Sequence, residues 1–214
     1  MRSSHPRYSG KDRRRQILRV AMELFARRGF VGTTTRQIAE RAHVNEAIIF
    51  RHIPRKEDLY WAIVEDQCRE KDAQSKHPGI EVTNGNDREY FRAMAEEILR
   101  RNTKDFTLSR LLLFTALENH RLAHRFFRTY VAEYFDVLAH QIRRRIREGS
   151  FRKVHPLLAA RGFIGMVTYH FLIQELFGGK RHAKYDLHIV SETLTDIWLQ
   201  GMTRVDGRKT GGRS

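Results

Sequence analysis

The sequence predicts an all-α protein: an N-terminal three-helix unit with a helix-turn-helix, followed by a larger C-terminal helical domain. Three observations predict it. The stretch Thr34 to Leu59, TTRQIAERAHVNEAIIFRHIPRKEDL, reads as two short helices joined by a tight turn and followed by the start of a third. The later segments carry apolar residues at three- and four-residue spacing, the period of a helix with one buried face. Positive charge is concentrated where the helix-turn-helix lies, with 14 Lys+Arg against 4 Asp+Glu in residues 1–56, or +10 of the chain's formal +15.

Residues 1–10 are polar, with Pro6 and Gly10, and are expected to form a basic flexible arm. A first helix from about Lys11 to Arg28 places Ile17, Val20, Ala21, Leu24 and Phe25 on one face and ends at Gly29. Arg13, Arg14 and Arg15 lie near its start, where basic arms reach phosphates or an adjacent minor groove.

Thr34 and Gln37 form a Thr-x-x-Gln capping box, so a helix should begin at Thr35. Ile38, Ala39 and Ala42 share a face, and the two alanines are small enough for a second helix to cross closely. Asn45 is a good N-cap for that second helix, which turns Ile49 inward and presents Glu46, Ala47, Ile48, Phe50, Arg51 and His52 outward. It must stop at Pro54, whose ring disfavours helical geometry at Ile53. The turn is His43, Val44 and Asn45.

A long helix opens at Lys56, Glu57 and Asp58 and runs to about Ala73; its early acidic residues suit the helix dipole. Ser75 to Asn86, with Pro78, Gly79 and Gly85, reads as a linker. Helices are expected over Asp87–Arg101, from about Asp105, and over Leu122–Glu148. The last of these carries Phe126, Phe127, Tyr130, Val131, Tyr134, Leu138 and Ile142 as one stripe expected to be core. Pro156 opens a helix to Phe177 closed by Gly178 and Gly179, and Asp186 opens the final one to about Met202. Leu187, Val190, Leu194 and Trp198 in the final helix, with Gly162 and Gly165 in the one before, read as the packing surface of a two-chain four-helix bundle. Residues 204–214 form a Gly-rich basic tail expected to be disordered. The domain limits are therefore 1–10, 11–55, 56–203 and 204–214.

With 214 residues and 41% apolar content, the chain can bury one large or two modest cores. A concentrated basic face attracts the phosphate backbone and releases counterions, which gives sequence-independent affinity with steep salt dependence. The single cysteine, Cys68, cannot form an intrachain disulfide, and its acidic surroundings disfavour the thiolate. An N-terminus without an apolar segment and the lack of an 18-residue apolar run predict a protein neither exported nor membrane-spanning, in the cytoplasm.

The run IA-x-x-A-x-V-N-x-x-x-x-F-x-H-x-x-x-K-x-x-L, from Ile38 to Leu59, resembles the DNA-binding signature of the TetR family of transcriptional regulators. Upstream, AMELFARRGFVGTTTRQIA (Ala21 to Ala39) resembles the remainder of that family's N-terminal domain. The motif covers about the first quarter of the chain, and the rest is similar only as a string of helices. Three positions depart from the family's usual residues. His43 stands where Gly is usual and needs a left-handed or bridging backbone, Ala47 where Gly or another small residue is usual, and Phe50 where Tyr is usual. Phe50 has no hydroxyl to bond a phosphate and is expected to pack on sugar or on its own helix.

The resemblance implies a homodimeric, ligand-responsive repressor on a palindromic double-stranded DNA operator. Thr34, Thr35, Arg36, Asn45, Glu46, Ala47, Ile48, Phe50, Arg51, His52 and Lys56 are its candidate DNA-binding residues. Among them Arg36 can read guanine, Glu46 can accept from cytosine, and Ala47 and Ile48 can touch thymine methyls. It also implies a small apolar effector in the C-terminal domain, for which Phe114, His120, Phe127 and Tyr134 are candidate lining residues. No cofactor, metal site or enzymatic constellation is expected: there is no phosphate-cradling glycine loop, zinc-ligand cysteine set or HExxH. His120 and His124, four apart, lack an acidic or cysteine partner on their face. The rival reading is an architectural protein that coats DNA without sequence preference, which explains the charge but not the capped recognition unit.

Overall fold

The computed structural model describes residues 10–73, 86–104 and 106–203, without the side chains of His52 and residues 70–73. The expected arm, most of the expected linker and the basic tail lie outside them. The helices are α1 (Gly10–Arg28), α2 (Thr35–Arg41), α3 (Glu46–His52), α4 (Lys56–Ala73), α5 (Asp87–Lys104), α6 (Thr107–Leu117), α7 (Arg121–Phe126), α8 (Ala132–Arg147), α9 (Pro156–Glu175) and α10 (Leu187–Met202). They fall into two compact units, one bounded by Met1–Lys76 with Asp105–Phe127 and the other by His77–Lys104 with Arg128–Ser214.

In the first unit α1 is the central helix, packed by α2, α4 and α6. Its predicted inner face is buried as read, from Ile17 to Phe25, and meets Ile38 of α2, Leu59 and Ile63 of α4 and Leu111 of α6, all buried. Phe25, Phe30 and Tyr60 form an aromatic cluster with ring centroids 5.5 to 5.8 Å apart. Burial pushes the Tyr60 phenol up to about 12, so it stays neutral in that cluster. The unit holding the helix-turn-helix thus extends beyond residues 11–55, taking in α4, α6 and α7.

In the second unit the core is aromatic. Phe91 of α5, Phe163 of α9 and Trp198 of α10 meet with centroids 4.3 to 5.2 Å apart, and Phe151 closes one side at 5.8 Å from Trp198. The indole N–H of Trp198 donates to the Ala159 carbonyl at 3.2 Å. Arg145 of α8 is buried and paired with Asp87 at 2.6 Å and Glu148 at 2.9 Å. It pins the end of α8 to the start of α5.

Two expectations change. The helix expected over Leu122–Glu148 is interrupted by a π-helical segment, Phe127–Val131, between α7 and α8. One wide turn shifts the register of every later side chain, so the stripe does not stay on one face. Leu138 and Ile142 are buried as expected, whereas Phe127 and Tyr134 are exposed. In α10, Val190 and Trp198 face their own unit's core, which is a correction to their reading as intermolecular surface, while Leu187 and Leu194 are half-buried. The outward residues are Ile189 and Ile197, and on α9 Leu158, Gly162, Gly165, Tyr169 and Leu176.

Candidate nucleic-acid interface

The local chemistry that starts α2 and α3 is present as read. Thr34 Oγ1 accepts from the Gln37 N–H at 3.2 Å while the Thr34 N–H donates to Gln37 Oε1 at 3.0 Å, a complete capping box. Asn45 Oδ1 accepts from the Ala47 N–H at 2.9 Å and caps α3. His43 has φ of 51°, the left-handed backbone that the departure from Gly required. Ala42 is fully buried and Ala39 nearly so, which allows the close crossing. α3 ends at Ile53, extended before Pro54.

The outer face of α3 is open. Ala47, Phe50 and Arg51 are exposed and Ile48 is half-buried, while Ile49 is 1% exposed and anchors the helix. On α2, Arg36 is exposed and paired with Glu40 at 3.0 Å, an intrahelical pair weak enough in water to be exchanged for a DNA partner. Thr35 donates its hydroxyl to the Glu46 carboxylate and so ties the first turn of α2 to the first turn of α3. The two candidate residues are thereby held as one positioned pair.

Lys56, one of the candidate DNA-binding residues, is largely committed within its own unit. Its ammonium donates to the carbonyls of Phe30 at 2.9 Å and Thr33 at 3.0 Å, and it sits 4.2 Å from the centroid of the Phe30 ring. Two of three donors are committed to holding the loop that delivers Thr34, which leaves one for a phosphate.

Several supporting residues were not singled out by the sequence reading. Gln16 of α1 donates to the Ala42 carbonyl at 3.0 Å and holds the turn between α2 and α3. Glu118, just after α6, accepts from the Phe30 and Val31 N–H groups at 3.1 and 3.2 Å. Thr33 is buried and donates to the Gly29 carbonyl at 2.9 Å. A glutamate 87 residues away in sequence carries no local signal that it grips this loop, so only the fold could reveal it.

The candidate effector residues have other duties. His120 caps α7, its Nδ1 accepting from the Leu122 N–H at 3.3 Å, and its ring lies 4.4 Å from that of Phe30. Phe114 lies beneath the Arg110 guanidinium. With Phe127 these belong to the first unit, whereas Tyr134 belongs to the second. Burial of its hydroxyl end, with Tyr90 and Glu97 near and Arg101 opposing them, holds the Tyr134 phenol neutral.

A capped helix-turn-helix that leaves the outer face of its second helix open to solvent defines a protein of the helix-turn-helix class. The profile of bacterial regulatory proteins of the tetR family matches residues 17–63, and that of the AefR-like transcriptional repressor C-terminal domain matches residues 88–195. The chain belongs to the TetR family. An HTH-type transcriptional repressor of Mycobacterium tuberculosis is 43% identical over 49 residues, 23% of this chain and 26% of that protein. An HTH-type transcriptional regulator of Bacillus subtilis is 44% identical over 50 residues, with the same shares. The chain thus aligns with about a quarter of the length of these curated relatives. A TetR-family regulator from Chloroflexus aurantiacus superposes with a TM-score of 0.74 at 17% identity, over 91% of this chain and 95% of that one. AibR, solved with isovaleryl coenzyme A and operator DNA, superposes with a TM-score of 0.67 at 23% identity, over 86% of this chain and 97% of that one. At these identities the likeness is one of fold.

Proposed function

We propose that the chain is a cytoplasmic, ligand-responsive transcriptional repressor that binds a palindromic DNA operator as a homodimer. The observation that carries this reading is α3, capped by Asn45, anchored by Ile49 and open along Ala47, Phe50 and Arg51. In this reading Thr35, Arg36, His52 and Lys56 engage the backbone or nearby edges, with Arg36 directed to guanine. Glu46, Ala47 and Ile48 face base edges in the major groove. The repressor sense is supported by the M. tuberculosis relative and by the AefR-like domain match.

The dimer is supported by an unpartnered apolar stripe. On α9, Leu158, Gly162, Gly165 and Tyr169 recur at three- and four-residue spacing and are exposed, and Leu176, the residue just after the helix, is exposed too. A Cβ placed on Gly162, Gly165 or Gly201 would meet nothing within 4 Å among the described residues, so no described neighbour needs these glycines. They leave room for a second copy's helices. By length and composition α9 could also cross a membrane, but Phe163, Val167 and Phe171 on its inner face are committed to a packed core. A two-fold pair of α3 helices about 35 Å apart would read half-sites one helical turn apart. AibR was solved with a small-molecule thioester and operator DNA together. By the same logic an effector here would shift the population between DNA-competent and DNA-incompetent states.

The test is footprinting on the DNA flanking the gene, with competition by unlabelled random DNA. A protected inverted repeat that random DNA fails to displace supports the regulator. Equal competition would make the chain an architectural DNA-coating protein. Arg36→Ala combined with Ile48→Asp must abolish site-selective binding in folded protein, or the recognition surface is wrongly assigned.

A further inference from the structure

The second unit contains a cavity of about 350 Å³ where the C-terminal end of α9, the turn after it and the start of α10 meet the end of α5. This volume is at the lower end of small-molecule sites, roughly 300–1,000 Å³. It has room for a single-ring or short-chain compound and not for a whole coenzyme A thioester. The walls divide by chemistry.

Phe171 and Leu187 supply apolar surface, and the rings of His170 and Tyr185 meet edge to face at 5.9 Å. Burial lowers the His170 pKa, so that ring is neutral at neutral pH. Two cations reach the same cavity. Lys180 is paired with Glu175, whereas Lys184 makes no ion pair among the described residues. The local charge is therefore positive by one, with a free ammonium at the rim.

A second observation points to a ligand. Gln174 lines the cavity, and its Oε1 is buried without a hydrogen-bond donor among the described residues. Buried acceptors are nearly always satisfied, and an orphan facing a cavity is filled by a donor from whatever occupies it. The turn that carries Lys180 is itself tightly specified. Gly178 has φ of 75°, and a Cβ on Gly179 would lie 2.9 Å from the Ile173 carbonyl oxygen, so both positions favour glycine.

We propose that this cavity binds a small organic acid: its carboxylate on Lys184, its apolar or aromatic body against Phe171 and Leu187, and a hydroxyl or N–H donating to Gln174 Oε1. Resting on the regulator reading above, this site is where the effector acts, and the effector is an anion with one donor group, in place of the purely apolar compound expected from sequence.

The probe is 4-hydroxybenzoate, titrated calorimetrically into the full chain at low salt, with 4-hydroxybenzamide (no charge) and benzoate (no donor) as comparisons. The acid should bind, and the amide should bind about tenfold more weakly, as should the acid to Lys184→Gln. Gln174→Leu should erase the preference for 4-hydroxybenzoate over benzoate. Melting curves establish that both variants are folded. No saturable binding by about 10 mM acid, or equal binding by a folded Lys184→Gln, overturns the site. Release of operator DNA is read separately. Lys184-dependent binding without release leaves the site standing and removes its effector role. Release that ignores Lys184 and Gln174 keeps the ligand-responsive reading and removes this site.

Discussion

Replacing Glu118 with alanine should loosen the loop that delivers the recognition unit, although Glu118 lies outside the helix-turn-helix. Its carboxylate accepts from the N–H groups of Phe30 and Val31. Hydrogen bonds to a charged acceptor are each worth about 1.5–3 kcal/mol when buried. Val31 is 70% exposed, so its amide can turn to water at little cost. Phe30 is 4% exposed, and its amide would be left without the carboxylate. The expected loss is therefore that of one such bond, about 1.5–3 kcal/mol. Glu118→Gln, which keeps an acceptor but not the charge, should lose about half as much.

A double-mutant cycle sharpens this. Gly29 has φ of 75°, and a Cβ there would overlap the Glu118 carboxylate oxygen. Gly29→Ala should therefore cost the left-handed strain, about 1–2 kcal/mol, and also displace the carboxylate. In the Glu118→Ala background only the strain remains. The two losses should fall short of additive by about 1.5 kcal/mol or more. Urea unfolding supplies the numbers, with Trp61 as the fluorescent reporter of the first unit in a Trp198→Phe background. Additive losses, or a Glu118→Ala cost below about 0.5 kcal/mol, would refute the grip.

Under the family resemblance, in which a hydroxyl at this position bonds a phosphate, Phe50→Tyr should tighten operator binding up to about tenfold without altering sequence preference; fluorescence anisotropy on operator and scrambled DNA checks both. Ile197→Asp, on the outward face of α10, should give a stably folded monomer in sedimentation, whereas Trp198→Ala on the inward face should cost about 3–5 kcal/mol of stability. Glu97 is held below the ordinary 4.5: burial pushes it up, but hydrogen bonds from Arg101 and Arg100 outweigh that. Its contribution to stability should be full above pH 4.5 and fade as pH falls through the depressed native value, so the advantage over Glu97→Gln in urea midpoints should shrink between about pH 6 and pH 3. Operator affinity should fall steeply with salt, with log K linear in log salt, and Arg51→Ala should flatten that slope by roughly one.

What could be read from the sequence was what short-range chemistry decides. The capping box at Thr34 and Gln37, the Asn45 cap, the stop before Pro54 and the left-handed His43 each depend on residues within four positions, and each is present. The inner face of α1 was equally legible, because one helix with one apolar stripe has one way to bury it. The grips on the recognition loop were not. Gln16, Lys56 and Glu118 reach the recognition unit across 23 to 88 residues, and nothing about a lone polar side chain announces a distant backbone partner.

The terminal helices show why an apolar stripe alone does not say which surface it faces. α10 is apolar on two sides: Val190 and Trp198 point one way, Ile189 and Ile197 the other. Sequence favours the side with the larger residues as the interface, but a tryptophan with an N–H to satisfy belongs where a carbonyl is fixed, and Ala159 of its own chain supplies one. Once Trp198 is committed inward, the opposite side is left with isoleucines that no core residue covers. Gly162 and Gly165 of α9 are exposed, and a Cβ on either would meet nothing within 4 Å among the described residues, so under the proposed dimer the close approach they permit is that of a partner helix.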